Sequence, residues 1–410
     1  MRYLILFPHA QWLESLSLEE GLFKNSTLVL PHNSLETAQV KRLQPFLGEI
    51  IQVENYFMTG EVEWLVYKIF QKAPFDRIIA PDEEDILRAG RLRTLLDLEG
   101  QNYESSLAFR DKIVMKEILA KKGIVVPPFR ALNNYSDFIE FIQSHTFPIV
   151  LKPRLGTGCQ GIHVLHSEDD VRKILSNSSV FSNSEITLLQ TEVFIHGPMY
   201  HINGLAIGEK VICSWPSVYL HSALGIIAGT YAASSLLAAE NPLTDKLNQY
   251  AKKIIKLMPT PQAAAFHLEV FMVDGQDEPV FCEIASRVGG KGVNHSWKTS
   301  FNIDLKKLFI LMQANIDIKV IEQPRTPSVI SGEVWFPKIK GTLVHIENQC
   351  PFPWVKEYEV YSRPGDALSS PHDITEILGG TPLILGESEI ELQKRIEDLE
   401  AWFYQNTKIS

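Results

Sequence analysis

Short apolar runs alternate with helix-period stretches along the first hundred residues. YLILF (3–7), TLVL (27–30) and RIIAP (77–81) are continuous apolar runs of strand length, whereas EVEWLVYKIF (61–70) carries the helical period. This alternation predicts a parallel, Rossmann-like sheet. Pro81 opens a predicted helix whose first turn holds Asp82, Glu83, Glu84 and Asp85; acids there complement the helix dipole, and no chemistry is assigned to them. A helix is predicted from Arg110 to Lys122, closed by Gly123 and with Lys112 in its first turn, and another from Asp137 to His145. PIVLKPRLGTGCQGIHVL (148–165) reads as strand, glycine-rich loop, strand. SNSSVFSNS (176–184) reads as a polar loop, and ITLLQTEVFI (186–195) as a strand running into a hinge. KVICSW, from Lys210, is a predicted strand. SVYLHSALGIIAGTYAASS then reads as a long lid-like loop containing His221, followed by a helix over Pro242–Leu257. Two apolar strands around DGQDE make a hairpin at 267–290. VNHSWKTSFNIDL leads into a helix capped by Asp304, and 321–332 is a linker rich in Pro and Ser. EVWFPKIKGTLVHIE, EYEVYSRPGD and TPLILGES are further strands. A final helix from Ser388 has Leu392, Ile396, Leu399 and Phe403 on one stripe.

A chain of 410 residues is long enough for two or three domains. A net charge of −10 argues against a nucleic-acid partner, while leaving room for a local basic pocket. Cys159, Cys213, Cys282 and Cys350 are scattered without a CxxC, the pattern of a reduced, cytoplasmic protein. MRYLILFPH reads as a first strand and not a signal peptide, and no run reaches the length of a membrane span.

The hairpin changes the picture most. Centred on Gln276, it sets Glu269 directly opposite Glu283. Like charges in cross-strand register repel, so the arrangement calls for a compensating cation. Oxygen-only ligands select a hard ion, which points to Mg²⁺. Arg287 follows four residues after Glu283, and Gly289 and Gly290 come next with free amides. Cation, fixed positive charge and amides together suit phosphate chemistry.

Gly156, Gly158 and Gly161 spell a G-x-G-x-x-G, but a strand follows where a dinucleotide fold would open a helix. A glycine-rich hairpin instead lets amides approach a triphosphate, with Lys152 adding charge from the apolar strand before it. Glu192, among apolar residues, offers an acceptor for a purine amine beside a strand edge.

FRDKIVMKEIL, PIVLKPRLGTGCQGIHV, LLQTEVFIHGP and FHLEVFMVDGQDEPVFCEIASRVGG, in this order, resemble the ATP-grasp superfamily over most of the chain. Within it, EIASRVGG and the long central loop are most similar to carboxylate–amine ligases that join amino acids, the L-amino acid ligases of the bacilysin type. The resemblance implies an α/β (α+β) chain with an N-terminal Rossmann-like domain (1–105). An ATP-grasp domain (106–320) with a flexible part near 148–200 follows, and a small C-terminal α+β unit (321–410) completes it. It implies ATP with Mg²⁺, or Mn²⁺ in its place, small-molecule carboxylate and amine substrates, no membrane partner, and a homodimer as one assembly. Lys112 and Lys152 would contact the phosphates. Glu192 would read the adenine amine, with Val193, Phe194 and Ile195 as hinge. Glu269 and Glu283 would hold the metal. Arg287 would meet the transferred phosphate, and Gly289 and Gly290 substrate oxygens. The chain departs from the pattern at Ala285, where many relatives have Asn, and at Pro198–Met199, where many have an acid for the ribose. Two other readings stand beside this one: a ligase of nucleotide or cofactor synthesis, and a nucleotide-binding protein without turnover. On the ligase reading, Glu283→Gln abolishes ADP formation and Glu83→Gln does not.

Overall fold

The computed structural model describes residues 1–16, 21–176, 186–290, 292–318 and 322–410. Four parallel strands open the chain: β1 (Tyr3–Leu6), β2 (Thr27–Pro31), β3 (Glu49–Val53) and β4 (Arg77–Ile79), in the order β3-β2-β1-β4. The sequence pattern does not announce β3, because Glu49 and Gln52 interrupt it. As an edge strand it needs less apolar surface than its neighbours. The helix expected from Pro81 starts later: a 3-10 turn spans Glu83–Asp85 and the α-helix runs over Ile86–Leu95. Glu83 and Asp85 are buried, so helix-dipole complementarity does not account for them. Buried carboxylates need partners. Asp85 accepts from the Tyr56 hydroxyl at 2.6 Å and from Arg88 at 2.5 Å.

A second, antiparallel sheet holds β5 (Phe129–Ala131), β6 (Ile149–Pro153), β7 (His163–Leu165) and β8 (Leu189–Val193), in the order β5-β8-β6-β7. Leu151, Leu165 and Leu189 pack with Phe138 of the helix Tyr135–Ser144 on one face. Strand alternation sends Lys152 and Glu192 to the other. Ile186–Leu188 form a 3-10 turn, so the hinge strand is shorter than its apolar run. Residues 177–184 of the expected polar loop lie outside the described residues.

The third sheet has eight strands. β9 (Met199–Ile207), β10 (Lys210–His221), β11 (Ala232–Leu236), β12 (Ala264–Phe271), β13 (Val280–Ala285) and β14 (Ile330–Trp335) are joined by β16 (Val355–Lys356) and β18 (Leu383–Gly386). Their order is β13-β12-β9-β10-β11-β14-β18-β16. β15 (Gly341–Ile346), β17 (Ala367–Leu368) and β19 (Thr407–Ile409) make a small sheet beside it. The expected lid is mostly strand: β10 continues through Pro216 to His221, and β11 takes up AASSL. Only a short connection with a helical turn at Leu224–Ile227 remains. The supposed linker also ends in strand. Ser331 of β14 is buried because Ser296 and Ser300 bond its hydroxyl, each at 2.8 Å. Those serines lie on a helix, Val293–Phe301, in a segment read only as a lead-in. The helices Pro242–Leu257 and Glu389–Gln405 match the pattern, the latter burying Leu392, Ile396, Leu399 and Phe403. Among the described residues no helix is long and apolar enough to cross a membrane.

Candidate active site

β12 alternates strictly: Phe266, Leu268 and Val270 enter the core, and His267 and Glu269 face the other way. β13 pairs with it so that Glu269 stands opposite Glu283. The hairpin is not symmetric throughout, since the register shifts between Glu269 and Val270, but the shift lies beyond the acid pair. Glu269 Oε1 accepts from the Tyr219 hydroxyl at 2.8 Å and faces His267 Nε2 at 3.3 Å. Burial alone would raise its pKa; the bonds to His267 and Tyr219 outweigh it and hold the carboxyl at about 2. His267 Nδ1 donates to Asn203 Oδ1 at 2.9 Å, and the Asn203 amide donates to His201 Nδ1 at 2.8 Å. His201 Nε2 then donates to Ser234 at 2.7 Å. Burial, with His267 beside it, pushes His201 down to about 3, so it is neutral and this relay is fixed in one sense. Glu283 Oε2 pairs with Lys112 at 3.2 Å. Each carboxylate thus keeps its second oxygen, and the two acids approach within 4.8 Å. That donor set fits one divalent cation. Ala285 adds no ligand.

Lys112 begins the helix Lys112–Lys121, capped by Asp111, and donates to the Gly156 carbonyl at 2.6 Å. Lys152 reaches Glu192 at 2.5 Å, and Lys116 reaches its other oxygen at 2.8 Å. All three are buried. Burial works against Glu192, but the two ammonium groups hold it down to about 2. Both of its oxygens bond lysines, so an adenine amine would have to share an oxygen with an ammonium group. In the hinge, the Val193 amide donates to Pro128 at 3.0 Å and the Phe194 amide to Pro148 at 3.2 Å. The Ile195 amide makes no hydrogen bond among the described residues.

Gly158 and Gly161 turn the glycine-rich loop with φ of 59° and 68°, values that suit residues without a side chain. The loop is tied down at its middle, where the Ile374 amide donates to the Gly158 carbonyl at 3.0 Å. Arg287 is partly buried, and its Nε bonds Glu83 of the N-terminal sheet's flank. Glu83 also pairs with Arg110. Burial opposes its charge, yet Arg287 and Arg110 hold it at about 2. Gly289 is glycine for packing: a Cβ there would lie 2.5 Å from Asn203 Oδ1 and 3.0 Å from His267 Nδ1. Gly290 borders open space.

Comparison with known proteins now adds to the geometry. A family model described as a RimK-like ATP-grasp domain matches residues 109–310. The chain is 26% identical over 352 residues to the L-arginine-specific L-amino acid ligase of Bacillus subtilis, covering 83% of this chain and 82% of that one. The structure is similar to a crystal structure of an L-amino acid ligase from Bacillus licheniformis, with a TM-score of 0.71 and 16% identity, over 100% and 98% of the two chains. Residues 109–310 thus form a RimK-like ATP-grasp domain. The same fold is seen in the biotin carboxylase domain of a Hydrogenobacter thermophilus 2-oxoglutarate carboxylase in complex with MgADP. There the TM-score is 0.68 and the identity 13%, over 100% and 90% of the chains.

Sequence reasoning missed three charged groups of this site. Lys116 lies four residues after Lys112, a helical neighbour whose spacing was available as a signal. Arg110 and Glu83 carried no such signal. Their meeting with Arg287 joins residues more than 170 positions apart in the chain.

Proposed function

We propose that this protein is an ATP-grasp ligase that joins two amino acids through an acyl phosphate, forming a dipeptide, ADP and phosphate. The register that sets Glu269 against Glu283, with Lys112 at 3.2 Å from the latter, carries the reading. Mg²⁺, or Mn²⁺ in its place, held by those carboxylates would supply positive charge to the phosphates of ATP. Lys112 and Lys152 face the triphosphate, and the amides of the loop with Gly156, Gly158 and Gly161 approach its oxygens. The free Ile195 amide donates to a purine ring nitrogen, and a hinge carbonyl in place of the Glu192 carboxylate takes the exocyclic amine. Arg287, anchored through Nε by Glu83, turns its remaining guanidinium N–H groups to the phosphoryl group in transit. The Gly289 and Gly290 amides take substrate oxygens.

The carboxylate of the first amino acid attacks the γ-phosphorus, the bond to ADP breaks, and an acyl phosphate forms. The neutral amine of the second attacks the acyl carbon. Phosphate leaves with its bridging oxygen, and the surplus amine proton passes to phosphate or solvent. The side chains of this site act chiefly by offsetting charge as it moves.

The test is ADP formation with each common amino acid alone and then in pairs, L-arginine among them because the Bacillus subtilis relative is named for it. Amino-acid-dependent ADP release together with a dipeptide detected by mass is the expected result. ADP release that needs ammonia or a phosphorylated amine instead would transfer the chain to nucleotide or cofactor synthesis. No nucleotide turnover under any condition would leave a binding protein.

A further inference from the structure

The choice of a hard ion assumes a cation site built of oxygen alone, and one side chain breaks that assumption. Cys282 precedes Glu283 on β13, and regular alternation would turn it to the opposite face. The strand does not alternate there. Glu269 pairs with Glu283, yet Val270 pairs with Phe281, so Cys282 has no partner across the ladder. It is the extra residue of a β-bulge. The core records the consequence: Phe281 and Ile284, three residues apart, both pack with Leu268 and Val270. Cys282 and Glu283 are therefore turned together to the other face. Its sulfur and one oxygen each of Glu269 and Glu283 lie within 4.8 Å of one another. The thiol is free, 6% exposed, and makes no hydrogen bond among the described residues.

We propose that Glu269, Cys282 and Glu283 form a mixed carboxylate–thiolate site that takes a borderline or soft divalent ion, of the Zn²⁺ or Cd²⁺ kind, more tightly than Mg²⁺. The inference rests on the carboxylate pair being a cation site, as the proposed function requires. A thiolate is a soft donor that adds strongly to Zn²⁺ and Cd²⁺ binding and little to Mg²⁺. Zn–S bonds of about 2.3 Å and Zn–O bonds of about 2.0–2.2 Å put neighbouring donors roughly 3.5 Å apart, within reach of small side-chain rotations here. As the metal–sulfur bond forms, the thiol proton leaves to solvent. Tyr219 and His267 hold one oxygen of Glu269, and Lys112 one of Glu283, so each acid has an oxygen left for the ion. A soft ion then competes with Mg²⁺ for the same two acids and makes turnover sensitive to Zn²⁺.

The test titrates the full, reduced, metal-free chain with Cd²⁺ and reads sulfur-to-cadmium charge-transfer absorption in the ultraviolet, which requires no turnover. Saturation at one ion per chain is expected. The band should vanish in Cys282→Ala and in the near-isosteric Cys282→Ser, with Cd²⁺ affinity lowered at least about tenfold. It should survive in Cys159→Ala, Cys213→Ala and Cys350→Ala. The Cys159 variant is the sharpest control, because that thiol sits in the glycine-rich loop within range of the same carboxylates. Absence of the band in the wild type, or its survival in folded Cys282→Ser, overturns the proposal. Mn²⁺ binding followed by electron paramagnetic resonance separates this failure from that of the parent reading. Mn²⁺ bound without a cadmium–thiolate band discards the thiol alone. Mn²⁺ binding undiminished in Glu269→Gln and Glu283→Gln discards the carboxylate site, and the thiol proposal with it.

Discussion

Two charge clusters, around Glu192 and around the pair Glu269 and Glu283, are balanced differently. Glu192 is closed: two ammonium groups, Lys116 and Lys152, take its two oxygens and leave the cluster net positive. Glu269 and Glu283 are open: Lys112 touches one oxygen of Glu283, Tyr219 and His267 hold one oxygen of Glu269, and each acid keeps a second oxygen. The contrast separates a group that stabilises and shapes from a group that waits for a ligand. A buried carboxylate matched by cations needs nothing further, whereas two acids in register keep their repulsion until a cation arrives.

The comparison breaks most decisively at the open pair. Glu283→Gln should lower the rate of ADP formation by about 10²–10³, with unfolding little changed. Steady-state assays alongside urea denaturation check this, and an equal loss of stability would mean the pair is structural. At the closed cluster the expectation reverses. Lys116→Met leaves a buried acid with one partner and should cost about 3–5 kcal/mol of stability, measured by denaturant unfolding. A third variant tests the anchor between Glu83 and Arg287. Glu83→Gln should reduce kcat about tenfold by loosening Arg287, with the KM for ATP nearly unchanged. This revises the expectation from sequence that Glu83 is dispensable. A smaller change comes from Ile195→Pro, which removes one amide donor and should raise the KM for ATP about fivefold. The smallest effect near neutrality is that of pH. Glu192 and Glu83 sit at about 2 in the folded chain, below the ordinary 4.5. A depressed carboxyl contributes stability that is complete above 4.5 and lost as pH falls through 2. Acid unfolding should therefore set in within that window, and Lys116→Met should shift its midpoint upward.

The elements that sequence patterns recovered are those whose chemistry is local. Asp304 caps its helix, Ser388 caps the last one, and Gly275 turns the hairpin with a φ of 78°. The patterns failed where partners are distant. Pro216 looked like the end of a strand that in fact runs on to His221, held between β9 and β11. Glu83 looked like helix-dipole decoration because Arg110 and Arg287, which permit its burial, lie far along the chain. Cys282 read only as one of four scattered cysteines, because alternation hides a bulge.

Sequence alone determined the hairpin, its opposed acids, the glycine-rich loop and the lysine before it. Spacing along a strand, turn residues and backbone freedom are properties of neighbouring positions. The tertiary structure alone decided which charges are neutralised and which remain open. Pairing energy depends on distance and on exclusion of water, and both arise only when three sheets meet.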